Sequence, residues 1–146
     1  MAEKDSAKKI KVPCDETFEV WEKDKDLATQ LNHILRRLHC STAGFIGAGI
    51  ISGDGFIIAS DLPQNVEEQR IAALAATMLA LGERTTSEFE HGSVRRMLVE
   101  GDRGYMVVMS AGSKAALSAV AQNDAKLGLV LFQMERAAQA IDKILG

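Results

Sequence analysis

Between Asp24 and His39, hydrophobic positions recur every three or four residues. Leu27, Leu31, Ile34, Leu35 and Leu38 fall on one side, and Gln30, His33, Arg36 and Arg37 face outward. This spacing predicts an amphipathic helix, with Arg36, Arg37 and His39 in a last turn where positive charge suits the helix dipole. From Gly44 to Ser60 the pattern changes to strand, turn, strand. GFIGAGIIS and FIIAS flank Asp54-Gly55, a strong hairpin signal because Gly tolerates the positive φ of a tight turn. Gly44, Gly47 and Gly49 leave little side chain on one face of the first strand, so a bulky neighbour such as a helix is expected to pack close there.

The stretch Ile71 to Leu81, IAALAATMLAL, reads as a helix without Gly or Pro. Ile71, Leu74, Met78 and Leu81 make one apolar stripe, and Ala72, Ala76, Leu79 and Ala80 cover much of the rest. A helix that is apolar all round is buried, and in a chain this short burying both sides requires a second subunit. Glu67 and Glu68 suit the first turn, with Asn65 or Asp61 as the expected cap. Thr85 and Phe89 extend the stripe, so the helix is expected to run through Gly82 to near Glu90, with His91-Gly92 as its stop. A mid-helix Gly costs about 1 kcal/mol relative to Ala, which is tolerable where close packing needs a missing side chain.

A second hairpin follows. SVRRMLVE and YMVVMSAG are joined around Asp102 to Gly104. A short strand of small residues, Ala116 to Gln122, suits a central place in a sheet. Asn123 or Asp124 then caps a last helix to Leu145, with a buried stripe of Leu127, Val130, Leu131, Met134, Ala138, Ile141 and Leu145. The order α-β-β-α-β-β-β-α predicts an α+β domain over residues 24–146, with an antiparallel sheet between helices. Residues 1–23 read as an extension. Its first part is polar and disordered in character, whereas Ile10, Val12, Phe18, Val20 and Trp21 could dock on a surface.

Composition narrows the function. With 47% hydrophobic and 25% charged residues, a net charge of −3 and a pI near 5.6, the chain gives no reason to expect nucleic acid as partner. No apolar run approaches the roughly 20 residues that span a bilayer. The N-terminal MAEKDSAKKIKV lacks the apolar core of a signal peptide. Cys14 and Cys40 read as reduced thiols, and the cytoplasm is the default location.

Chemistry is sparse. AGSKAA, Ala111 to Ala116, has the wrong order and spacing for a phosphate-binding loop. GFIGAG lies inside a strand, where a dinucleotide fingerprint belongs at a strand-to-helix turn. His33, His39, His91, Cys14 and Cys40 show no zinc-ligand spacing, and no Ser or Cys stands in a nucleophile motif. No catalytic, cofactor-binding or metal-ligating set is identified. Arg70, Arg84, Arg95, Arg96 and Arg103 are candidates to reach a phosphate in a partner's site, against the plainer reading of solvated charge or interface rim.

Four segments, GIISGDGFIIASDLP, IAALAATMLAL, MLVEGDRGYMVVMSAG and AKLGLVLFQMERAA, stand in an order and spacing that resemble the Roadblock superfamily, especially its prokaryotic MglB-like branch. The resemblance covers Leu27 to Ile144 and implies a profilin-like sandwich. A five-stranded antiparallel sheet would carry the long middle helix on one face and the terminal helices on the other. It also implies a homodimer in which the middle helices pack together and the third strands pair. That places Ile71, Leu74, Ala75, Met78, Leu81, Arg95 and Met97 at the interface. Members of this family act as non-catalytic platforms for small Ras-like GTPases. In the MglB-like branch the dimer promotes GTP hydrolysis by reorganising the GTPase's own residues. Arg70, Arg84 and Arg96 are the candidate partner contacts, although no family motif fixes them. The alternatives are a small-molecule sensor and an assembly adaptor of the same fold.

Overall fold

Asp26 opens the first helix in the computed structural model, which describes residues 26–146. Its carboxylate accepts a hydrogen bond from the Thr29 backbone N–H at 3.0 Å, satisfying one of the donors a helix start leaves open. Helix α1 spans Leu27–Cys40 and buries Leu31, Ile34, Leu35 and Leu38. Two expectations are corrected here. His33 is fully buried rather than outward, and Leu27 is about half exposed. The cause is that α1 lies against two strands and the C-terminal helix together, so its covered arc is wider than the leucine stripe. The expected extension, residues 1–23, lies outside the described residues, as does Cys14. Cys40 is disulfide-bonded, so the reading of a reduced thiol is corrected at that position.

The first hairpin forms as its turn residues predict: β1 Phe45–Ser52 and β2 Ile57–Asp61 flank Gly55, whose φ is +88°. The glycines of β1 face a different neighbour from the expected helix. A Cβ on Gly47 would collide with the Asp61 carbonyl and approach Leu62, and at Gly49 the nearest atoms belong to Ile57 and Ser118. The close approach is chain against chain within the sheet, beside an irregularity in the pairing of β1 between Phe45 and Gly47.

Helix α2, Glu68–Glu88, continues through Gly82. A Cβ on Gly82 would sit 2.8 Å from Met97 Sδ and 2.9 Å from Val94 Cγ2, so the missing side chain is what lets the helix approach the sheet. The helix ends two residues before Glu90, which itself takes a positive φ of 56°, followed by Gly92 at 88°. Neither expected cap is used. Glu67 occupies the cap position without a side-chain bond, and Asp61 instead accepts from His39 Nδ1 at 2.8 Å, joining the end of α1 to β2.

The second hairpin supplies β3 Arg96–Glu100 and β4 Gly104–Ser110, and β5 follows at Ala115–Gln122. All pairings are antiparallel and the order is β2-β1-β5-β4-β3. The small-residue strand therefore sits in the centre, between the two hairpins. Helix α3 spans Leu127–Leu145 with Lys126 at its cap position and no side-chain capping bond. Asn123 serves a different purpose from the one expected, donating to the Asp102 carbonyl at 3.1 Å and tying the last loop to the second turn. Val130, Met134, Ala137, Ala138 and Ile141 are buried on α3, while Leu127, Leu131 and Leu145 pack at the margin.

The sheet divides two cores. Against α1 and α3 lies the larger one, containing Leu31, Leu35, Ile50, Val107, Leu117, Met134 and Ile141. Against α2 lies a thin one of Ile51, Ala72, Ala75, Val108 and Ala116. This is the expected α+β sandwich. Tyr105 closes one end of the larger core, its hydroxyl donating to the Ala125 carbonyl at 3.0 Å. Burial, then the charges of Asp124 and Glu100, hold its pKa above the usual 10.0.

Two predictions follow from these contacts. Tyr105→Phe leaves the Ala125 carbonyl unsatisfied and should cost about 1–2 kcal/mol in denaturant unfolding. Because the folded state favours the neutral phenol, the wild type should lose this contribution as pH rises above 10.0, and the variant should lack that dependence. Gly47→Ala drives a methyl into backbone that cannot rotate away and should cost about 2–3 kcal/mol or prevent folding.

Candidate partner-binding surface

The side of α2 that turns away from the sheet carries bulky hydrophobic groups. Leu74 is 50% exposed, Leu81 60% and Phe89 65%. Between them lie threonines whose hydroxyls are already used. Thr77 Oγ1 donates to the Ala73 carbonyl at 2.8 Å and Thr85 Oγ1 to the Leu81 carbonyl at 2.9 Å. These i−4 bonds leave mainly methyl groups outward, so the ridge makes little demand for water.

Strand β3 borders this ridge. Met97 and Val99 share the α2 face, since their cross-strand partners Val108 and Met106 belong to the core beneath α2. Arg96, Leu98 and Glu100 point to the α3 face, where Arg96 Nη1 donates to Glu135 Oε2 at 2.9 Å. Leu98 is 45% exposed and Val99 53%. As the last strand of the sheet, β3 has one unpaired edge among the described residues. The Ser110 N–H bonds the Arg95 carbonyl and the Gly101 N–H bonds the Gly104 carbonyl. In an antiparallel ladder such residues alternate with ones that turn away, so Arg96, Leu98 and Glu100 direct their backbone groups outward. Neither Lys nor Pro guards this edge, the usual protections against pairing.

The residues expected at an interface divide accordingly. Leu74 and Leu81 lie on the exposed ridge, Ile71 and Met78 are half-buried along its inner margin, and Arg95 is exposed at the start of β3. Met97 is half-buried against Gly82. Ala75 is fully enclosed under its own helix and has no surface to offer. The three candidate arginines are not brought together. Arg70 and Arg84 are exposed on α2, Arg70 in a loose pair with Glu67 at 3.3 Å, whereas Arg96 lies across the sheet beside α3. Leu98 and Val99 are not among the interface residues expected from the sequence, although pairing of the third strand is; their exposure follows from the place of β3 at the end of the sheet.

Among the described residues no group of three or more His, Cys, Asp or Glu side chains could hold a metal ion, and no helix is long and apolar enough to cross a membrane. A groove of about 370 Å³ between β3 and α3 is lined by Arg95, Arg96, Glu135 and Asp142 among others, whereas small-molecule sites are predominantly apolar.

Comparison with known proteins agrees with this architecture. Residues 32–122 match the model of the Roadblock/LC7 domain. An uncharacterised protein of Methanocaldococcus jannaschii is 31% identical over 111 residues, 76% of this chain and 96% of that protein. Among solved structures, MglB of Myxococcus xanthus superposes with a TM-score of 0.75 at 22% identity, covering 82% of this chain and 97% of that one. An MglB with a tetrameric arrangement gives 0.73 at 24% identity, over 80% and 88%. Fold, element order and family match together identify this chain as a member of the Roadblock/LC7 family.

Proposed function

We propose that this protein is a non-catalytic, homodimeric regulator or scaffold that binds a small Ras-like GTPase and modulates its nucleotide cycle. The observation that carries the reading is the apolar ridge of Leu74, Leu81 and Phe89 running beside an open strand edge, in a chain of the Roadblock/LC7 family. Exposed apolar area of this kind marks an interaction site. A twin helix on the ridge and a twin strand on β3 would cover it, and the fold's occurrence in an MglB with a tetrameric arrangement supports self-association. Residues 24–146 act as the binding domain, with residues 1–23 as an extension to it. The dimer then offers a GTPase a rigid surface rimmed by Arg70 and Arg84, and a partner of that kind, rather than the state of Cys40, is what argues for the cytoplasm.

The interface is tested most cleanly at Leu74 and Leu81, because Met78 packs partly on its own core and a charge there would confound folding with association. Leu74→Glu and Leu81→Glu should each give folded monomer in light scattering, since a buried unpaired charge is costly. A double variant that stays dimeric would sink the assignment. For the partner, the protein is mixed with each Ras-like GTPase of the same genome carrying a GTP analogue. Co-elution is expected, with a changed hydrolysis rate in GTP, and Arg70→Ala with Arg84→Ala should weaken binding roughly tenfold. If every such GTPase elutes alone and hydrolyses GTP at its own rate, the function is something else.

A further inference from the structure

Helix α1 has no open side. From Thr29 to Cys40 every residue is buried or half-buried, although α1 lies in an outer layer, where a helix ordinarily keeps one polar face in water. The sheet and α3 cover it from the leucine side. At 3.6 residues per turn, His33 stands roughly 150° around the helix from Leu31, Leu35 and Leu38, yet it is fully buried. Thr29, Arg36 and Cys40 share that far side, with Arg37 at its border. We infer that residues 14–25 of this chain fold back over this face as a strap, latched by a disulfide between Cys14 and Cys40.

Three observations select this occupant. The latch comes first: Cys40 is disulfide-bonded, and Cys14 is the only other cysteine in the chain. Reach comes second. The segment joins the sandwich at Asp26, the cap of α1, and Cys40 is the last residue of that helix. The two ends of the strap therefore coincide with the two ends of the face. The 14 residues of α1 rise about 21 Å. Fully extended, the chain from Cys14 to Lys25 spans up to roughly 40 Å, enough to return along the whole helix.

Third, the chemistry of the two surfaces matches. Helix α1 holds no Asp or Glu, whereas Arg36 and Arg37 stand beside the far face. Between Asp15 and Asp24 the segment carries five acidic residues and one lysine, the opposite sign to the face it returns along. Phe18, Val20 and Trp21 lie in the same stretch and bring the apolar surface that keeps water from His33. The latch opens by thiol–disulfide exchange. Two electrons pass from a dithiol to the Cys14–Cys40 bond, leaving two protein thiols and the reductant as its own disulfide. The strap is then held only by its charges and apolar groups, on the side of the sheet away from the α2 ridge.

The full-length protein tests this directly, because Trp21 is its single tryptophan. In the oxidised protein a peptide map should join residue 14 to residue 40 of one chain. Trp21 emission should be blue-shifted and resist acrylamide, and His33 should resist diethyl pyrocarbonate. Glu16→Lys, Glu19→Lys and Glu22→Lys together, treated with dithiothreitol, should release the strap. Acrylamide quenching then rises severalfold and His33 becomes modified, while circular dichroism shows the sandwich intact. Cys14→Ser in the same background should reach the released state without a reductant. These substitutions all precede α1, so lost protection is separable from lost fold. A Cys40 found as a free thiol or joined to a second chain overturns the latch. Free quenching of Trp21 in the oxidised wild type, or a His33 that stays protected after release, overturns the strap. Protection of Trp21 that falls on dilution also overturns it, by placing the segment on another copy.

Discussion

The shallow seat of α2 on the sheet governs the rest of the molecule. Its inner side is Ala72, Ala75 and Gly82, residues with almost no side chain, so the helix axis comes close enough for Gly82 to meet Met97 and Val94. Directly beneath so close a helix only small side chains fit, with Met78 and Leu79 packing at the margin of this core. The bulky residues of the same segment, Leu74, Leu81 and Phe89, are thereby displaced to the outer side. One packing choice thus creates both the thin core under α2 and the uncovered ridge above it. The opposite face of the sheet shows the contrast. There Leu31, Leu35, Met134 and Ile141 fill a thick core.

Much of this was legible in the chain because the fold rests on repeating patterns. The leucine spacing of α1, the Asp54-Gly55 turn and the small residues of β5 each report a local geometry that no distant contact overrides. The readings that failed concern what lies beside an element rather than the element itself. His33 reads as outward by spacing, but α1 is covered on more than one side. Gly47 signals a close neighbour without saying that it is the backbone at Asp61. Asn123 has the chemistry of a helix cap and spends it on the turn at Asp102. Caps and neighbours depend on tertiary placement, which periodicity does not carry.

The candidate surface was half visible for the same reason. Absence of a polar face on IAALAATMLAL points to a second subunit. Its division into an alanine side for the sheet and a leucine side for a partner needed the rotation of the helix. Ala75 and Leu74 are adjacent in sequence, yet one is enclosed and the other half exposed. The arginines teach a similar lesson: Arg95 and Arg96 both line the groove between β3 and α3, whereas Arg70 and Arg84 are exposed on α2.

The central position of β5 also bears on how the chain reaches this state. Its neighbour β1 lies about seventy residues earlier, and Ser118 closes onto the Gly49 carbonyl across that span. Each hairpin can form locally, but no strand pairing joins them until β5 arrives between them, and non-local pairing of this kind slows folding. During synthesis, then, the first hairpin, α2 and the second hairpin leave the ribosome with their shared strand still inside it. In that interval β1 is an uncovered edge rich in isoleucine, and Ala72 and Ala75 of α2 lack Ala116 in the core beneath them. The chain is most vulnerable to aggregation in that interval, and its escape depends on a strand made almost entirely of small residues, which can slide into the gap without rearranging either side.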